Sequence, residues 1–328
     1  MIKTMTKTSL IFASLAFASA AFATETLRMG AMPVGSGWYV GAAAIQKMVA
    51  KQQPNLAIEI MARGGGVANP MVVQNGKAQL AISNVATSSW AMGGQLLYKG
   101  NPATDIRSLV GGLNPVYVGA IARTEFLKEH NFSSLQDILE SGKAVNIMMK
   151  PAGSNIPPVV DAILAAHGTS QKRIREQGGR IIQVNSAQMS GLMRDGRVDL
   201  YFDTILKGHP TITEISLTGD VTFLDISDKA LAKLSPLGLQ KGAYPKWFDA
   251  QTGENIGGDF GTHLIAHKSL SDETAYQITK LVVENMPALA EEFKAWKAFK
   301  PENATAPQKN GIPLHPGAIK YYKEAGLL

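Results

Sequence analysis

Pro33-Val34-Gly35-Ser36-Gly37-Trp38-Tyr39 near the start of the chain finds its echo in Pro151-Ala152-Gly153-Ser154-Asn155-Ile156, 118 residues further on. Each Pro-x-Gly-Ser follows an apolar run of strand length and precedes a segment of helical period, which makes a strand-turn-helix unit. A second echo comes in the same order. Asn75-Gly76-Lys77-Ala78-Gln79-Leu80-Ala81-Ile82 matches Asp195-Gly196-Arg197-Val198-Asp199-Leu200-Tyr201-Phe202 in character, 120 residues apart. In both, a glycine in left-handed conformation ends a helix and a basic residue leads into a strand. Two echoes at nearly equal spacing predict two similar lobes.

Outward from these turns, strand-like and helix-like segments alternate. Strands are expected at 26–32, 57–62 and 79–83 with helices at 41–51 and 69–75, and the order repeats with strands at 145–150, 180–184 and 199–203 and helices at 157–167 and 186–194. Such alternation is the signature of an α/β chain built on largely parallel sheets. Gly111-Gly112 and Asn114-Pro115 interrupt an otherwise strand-like run, so the first crossing between lobes is placed near Asn114. A return near 221 would leave 24–114 plus 221–328 as the first lobe and 115–220 as the second.

Length and composition agree with two globular units. The 328 residues include 32 glycines and no cysteine, which excludes disulfide scaffolds, thiolate zinc sites and cysteine nucleophiles. Lys3 and Lys7 precede an apolar run from Leu10 to Phe22 that closes on Ala21-Phe22-Ala23, the pattern of a cleavable secretory signal over 1–23. The run is shorter than a spanning helix needs. Export places the protein in the periplasm, where nucleotide cofactors are scarce, and no cofactor is expected. Without Lys3 and Lys7, 30 basic side chains face 26 acidic ones, too small and scattered an excess for nucleic acid.

In open parallel α/β sheets, ligands sit beyond the carboxyl ends of the strands, near the unpaired amides of helix N-termini. Four segments fall there: Ser36-Gly37-Trp38-Tyr39, Arg63-Gly64-Gly65-Gly66, Ser154-Asn155 and Asp203-Thr204. Amides, small hydroxyls, aromatics and one guanidinium suit a small carboxylate. Arg63 could fork onto that carboxylate, or be a solvated arginine on a flexible loop. Trp38 or Tyr39 would pack on the ligand's carbon skeleton, the alternative being core. Ser36, Ser154, Asn155 and Asp203 would tune selectivity. No nucleophile-base pair or hydrolase elbow stands in the sequence, so an enzyme is not expected. His263 and His267 read as ordinary strand residues, and His209-Pro210 as a helix cap.

The chain from about Thr26 to Leu328 resembles the TAXI-type solute-binding subunits of TRAP (tripartite ATP-independent periplasmic) transporters. The resemblance is carried by Gly35-Ser36-Gly37-Trp38-Tyr39, Gly64-Gly65-Gly66-Val67-x-Asn69, Pro151-Ala152-Gly153-Ser154, Gly242-Ala243-Tyr244-Pro245 and the closing Pro313-Leu314-His315-Pro316-Gly317. It implies a two-lobe periplasmic-binding-protein type II fold with a ligand cleft between lobes. It also implies capture of a small organic acid or amino acid and delivery to TRAP permease membrane subunits. The chain departs from the family where ligand contacts are expected. Ser36-Gly37-Trp38-Tyr39 stands for Gly-Thr-Tyr-Tyr, Arg63-Gly64-Gly65-Gly66 for Thr-Gly-Gly-Ser, and Asn155-Ile156-Pro157 for Gly-Thr-Glu, so ligand identity does not carry over. A hydrolase or a ligand-sensing module on the same two-lobe fold is the alternative.

Overall fold

A computed structural model describes residues 24–328, and the signal sequence expected over 1–23 lies outside the described residues. Twelve strands are described: β1 (Glu25–Gly30), β2 (Leu56–Met61), β3 (Leu80–Asn84), β4 (Ile106–Val110), β5 (Tyr117–Arg123), β6 (Asn146–Met149), β7 (Arg180–Gln183), β8 (Leu200–Ile205), β9 (Val221–Leu224), β10 (Gln240–Tyr244), β11 (Asn255–Asp259) and β12 (Thr262–His267). They form two sheets, ordered β2-β1-β3-β12-β4 and β10-β11-β5-β8-β6-β7, with β9 also pairing with β5.

The repeat is visible in the pairing. β2-β1-β3 and β7-β6-β8 are parallel trios, and each is continued by an antiparallel strand, β12 against β3 and β5 against β8. Both turns have the same backbone. Ser36 N donates to Pro33 O at 3.1 Å and Ser154 N to Pro151 O at 3.2 Å, with Gly35 and Gly153 both at φ +88. That φ at the third residue of a four-residue turn is what glycine permits. The second echo is a pair of Schellman caps. Lys77 N bonds Val72 O and Gly76 N bonds Val73 O, as Arg197 N bonds Leu192 O and Gly196 N bonds Met193 O.

Helix α1 (Gly37–Gln52) starts four residues earlier than expected, because Ser36 caps it by accepting from Tyr39 N. Helices α2 (Ala68–Gln74) and α3 (Val85–Met92) cover the opposite face of the first sheet from α1. The chain leaves the first sheet after β4 and enters the second at β5. It does not return at 221. β9, β10 and β11 all pair within the second sheet, and the return falls at Phe260-Gly261 between β11 and β12. Asp259 ties the two crossings together, its Oδ1 accepting from Val116 N and Gly261 N at 2.8 Å each. On the α3 side the junction is packed, with Trp90 Nε1 donating to Leu237 O and its ring edge-on to Phe260.

Candidate functional site

The loops beyond β1, β2 and β3 face those beyond β6 and β8 across the junction of the lobes. In the first lobe, buried Asn69 organises the glycine loop. Its Nδ2 donates to Ala31 O, just past β1, and to Ile82 O in the middle of β3, and its Oδ1 accepts from Gly65 N at 3.1 Å. A Cβ on Gly64, at φ +99, would stand 2.2 Å from that Oδ1, so the loop closes on Asn69 only with glycine there.

Gly66 lies at the contact between lobes. A Cβ on it would be 2.4 Å from Asn84 Oδ1 and 3.7 Å from Asn155 Nδ2. The two asparagines meet directly, Asn155 Nδ2 donating to Asn84 Oδ1 at 3.3 Å, while Asn84 Nδ2 donates to Gly261 O at 3.1 Å. Asn84 therefore joins the first lobe, the second lobe and the crossing strand through one amide. The first amides of α3 are spent on the crossing, Val85 N on Gly261 O and Ala86 N on Phe260 O. The second-lobe helix Ile156–Ala166 carries Pro157 and Pro158 in its first turn, which removes two donors and leaves Asn155 and Ile156 to present amides at that tip.

Asp203, expected to tune selectivity, is consumed within its own lobe. Its Oδ1 accepts from Lys150 Nζ at 2.5 Å and Thr204 N at 2.6 Å, and its Oδ2 takes the Tyr201 hydroxyl. Thr204 Oγ1 in turn accepts from Lys150 Nζ at 2.9 Å. Burial alone would raise the Asp203 carboxyl, but the Lys150 charge, nearby His209 and these hydrogen bonds outweigh it and hold it below the usual range. The parallel register of β6 and β8 brings Lys150 and Asp203 side by side, just past the ends of their pairing.

The other expected residues divide. Gly37 opens α1 close to the second lobe, its Cβ position 3.9 Å from Leu206 Cδ1 and 3.0 Å from the Phe293 ring. Tyr39 is half-buried beside it, and the Ser36 hydroxyl is occupied as the helix cap. Trp38 is not a cleft residue: it is 7% exposed and packs with Ala42, Ile45 and Val49 in the first-lobe core. Ser154 turns its hydroxyl back onto Pro151 O at 2.8 Å. Arg63 is exposed at the end of edge strand β2 and shares an open depression with Arg28 and Glu59, apart from the Asn84-Asn155 contact. Asn69, Asn84 and Lys150 complete the junction, and sequence reading missed all three. Lys150 had a signal, a charge between a strand end and a turn, whereas the partners of Asn84 are 71 and 177 residues away.

One arrangement resembles a hydrolytic triad. Ser227 Oγ lies 2.9 Å from His167 Nε2, and His167 Nδ1 lies 3.0 Å from Glu140 Oε1. Its groups are already committed: Ser227 caps a helix by accepting from Ala230 N, the His167 side chain is fully buried, and Glu140 also holds Lys229. We read it as a clasp inside the second lobe. Among the described residues no group of three His, Cys, Asp or Glu side chains could hold a metal ion, and no helix is long and apolar enough to cross a membrane.

His209 caps the helix Pro210–Thr218, as expected, accepting from Ile212 N. His263 is fully buried between Ser88 and Ser108, so it belongs to a core polar network. Burial pushes His263 down to about 3 and His209 down to about 4. Below the free-histidine value the unfolded chain binds protons that the folded chain refuses, so stability is full above about pH 6.5 and is lost as pH falls toward those values. Urea titrations should show this acid weakening. In His209→Asn, which keeps a capping side chain, the loss between pH 7.5 and 5 should be smaller by about 1–2 kcal/mol.

Two α/β lobes joined by two adjacent crossings, each lobe built on a parallel trio with an antiparallel fourth strand, define a periplasmic-binding-protein fold of the second type. The chain belongs to the NMT1-like family, whose profile matches residues 29–326. Among solved structures, it is similar to a TctC solute binding protein from Polaromonas, at 12% identity over 92% of this chain and 96% of that one, with a TM-score of 0.51. It is also similar to the glycine betaine/L-proline-binding protein ProX from Borrelia burgdorferi, at 13% identity over 90% and 100% of the two chains and a TM-score of 0.48. A third is the periplasmic aliphatic sulphonate binding protein SsuA from Escherichia coli, at 15% identity over 92% and 88% and a TM-score of 0.46.

Proposed function

We propose that this is a periplasmic solute-binding protein that captures a small organic acid or amino acid between its lobes and hands it to a membrane permease, of the TRAP type that its TAXI resemblance implies. The observation that carries the reading is the Gly66-Asn84-Asn155 contact. It joins the lobes through side-chain amides at the place where the glycine loop after β2 meets the second-lobe turn. A ligand carboxylate there would meet the Gly37 end of α1, where the helix dipole is positive, and the Asn155 amide. Occupancy of both lobes at once favours the closed form, which is the surface a permease would recognise. Buried Asp203 serves this role indirectly, by holding Lys150 and Thr204 in place at the floor of the second lobe.

The test is thermal-shift and calorimetric titration against a panel of organic acids and amino acids at neutral pH, with product analysis of each mixture. Saturable stabilisation without turnover supports a binder. Product formation supports the hydrolase, and no binding by any acid removes the reading. Within that panel, Arg63→Ala should change the affinity of the best acid by less than about 0.5 kcal/mol, as for a solvated surface charge. A loss of about 1.5 kcal/mol or more would return Arg63 to the ligand.

A further inference from the structure

On the α1 side the lobes do not pack against each other as they do at Trp90. They leave a cavity of about 240 Å³ bounded by both lobes and the first crossing. Two features of its wall are chemically specific. The first is Trp247, whose ring is stacked with Tyr244 at 5.7 Å and tilted to Tyr117 at 6.1 Å. It is only partly buried, unlike Trp38, Trp90 and Trp296. The second is a rim of Lys207, Lys294 and Lys297. The last two share Glu291, at 2.5 and 2.9 Å, and Lys207 has no acidic partner among the described residues, so the rim carries an excess of positive charge.

We infer that this cavity takes the body of the ligand and that the ligand is an aromatic acid. The inference rests on the solute-binding reading and narrows it. Indole, Leu206 and Ala298 offer a flat apolar surface for a ring, and the lysines offer charge-assisted hydrogen bonds to a carboxylate. Size agrees, since an apolar cavity of about 150 Å³ holds benzene. Leu206 lines the cavity and also flanks Gly37, which makes the cavity a lateral extension of the cleft at the head of α1. Because its wall comes from both lobes, filling it favours closure.

Calorimetry with benzoate, its three monohydroxy derivatives and hexanoate, all of like charge, tests the inference. At least one of these aromatic acids should bind about tenfold more tightly than hexanoate. It should also change tryptophan emission in the wild type and not in Trp247→Phe. The triple variant Lys207→Ala, Lys294→Ala, Lys297→Ala should weaken that acid about tenfold. Hexanoate binding as well as the aromatic acids, or an unchanged affinity in the triple variant, overturns the inference. Asn155→Ala separates the two failures. If hexanoate or succinate binds in an Asn155-dependent way with no aromatic preference, only the side-cavity inference falls. If no acid binds, the reading beneath it falls as well.

Discussion

Gly66→Ala should weaken binding of the best acid about 30-fold, close to 2 kcal/mol, while leaving the unliganded protein nearly as stable as wild type. Gly66 does not have a positive φ, so alanine suits its backbone and the effect is one of space. The added methyl would sit 2.4 Å from Asn84 Oδ1. With the lobes apart, the Asn84 amide can swing into solvent. With the lobes together, Asn155 occupies that route, so the cost falls on the closed form and appears in affinity. Isothermal titration measures it, and wild-type affinity in Gly66→Ala would mean that the asparagine contact is not part of the bound state.

Lys150→Met should cost about 3 kcal/mol of unfolding free energy, because it strands the Asp203 carboxylate in a site from which water is excluded. The remaining donors, Tyr201 and Thr204, do not neutralise it. Removing both charges, as Lys150→Met with Asp203→Asn, should recover much of that loss, since a pair taken away together leaves no orphan charge. Urea unfolding of the two variants checks this. If the single and double variants are equally unstable, the methionine is harmful for packing and the ion pair is not the reason.

The lobes were legible in the sequence because their signals are local. Pro-x-Gly-Ser and the Gly76 and Gly196 caps each specify a backbone conformation within four or five residues, and both pairs have matching geometry in the structure. The return crossing was not legible. β10 and β11 lie in a glycine-rich stretch with little apolar alternation, and what holds them in the second sheet is antiparallel pairing, which leaves no local mark. Trp38 was misplaced although Trp38, Ala42, Ile45 and Val49 already fall on one helical face, a core stripe visible in the letters. Arg63 depended on whether an edge-strand end points toward or away from the cleft, which sheet order decides and composition does not. Asn84 gave no signal because a single buried amide between distant segments has no sequence period.

The absence of cysteine in the chain permits a direct measurement of lobe movement. Spin labels on Val34→Cys and Ala152→Cys, exposed positions in the equivalent turns of the two lobes, report the distance between them. Lobe closure on a captured acid predicts a distribution that shortens and narrows when a calorimetrically verified acid saturates the protein. An identical distribution with and without that bound acid would contradict it.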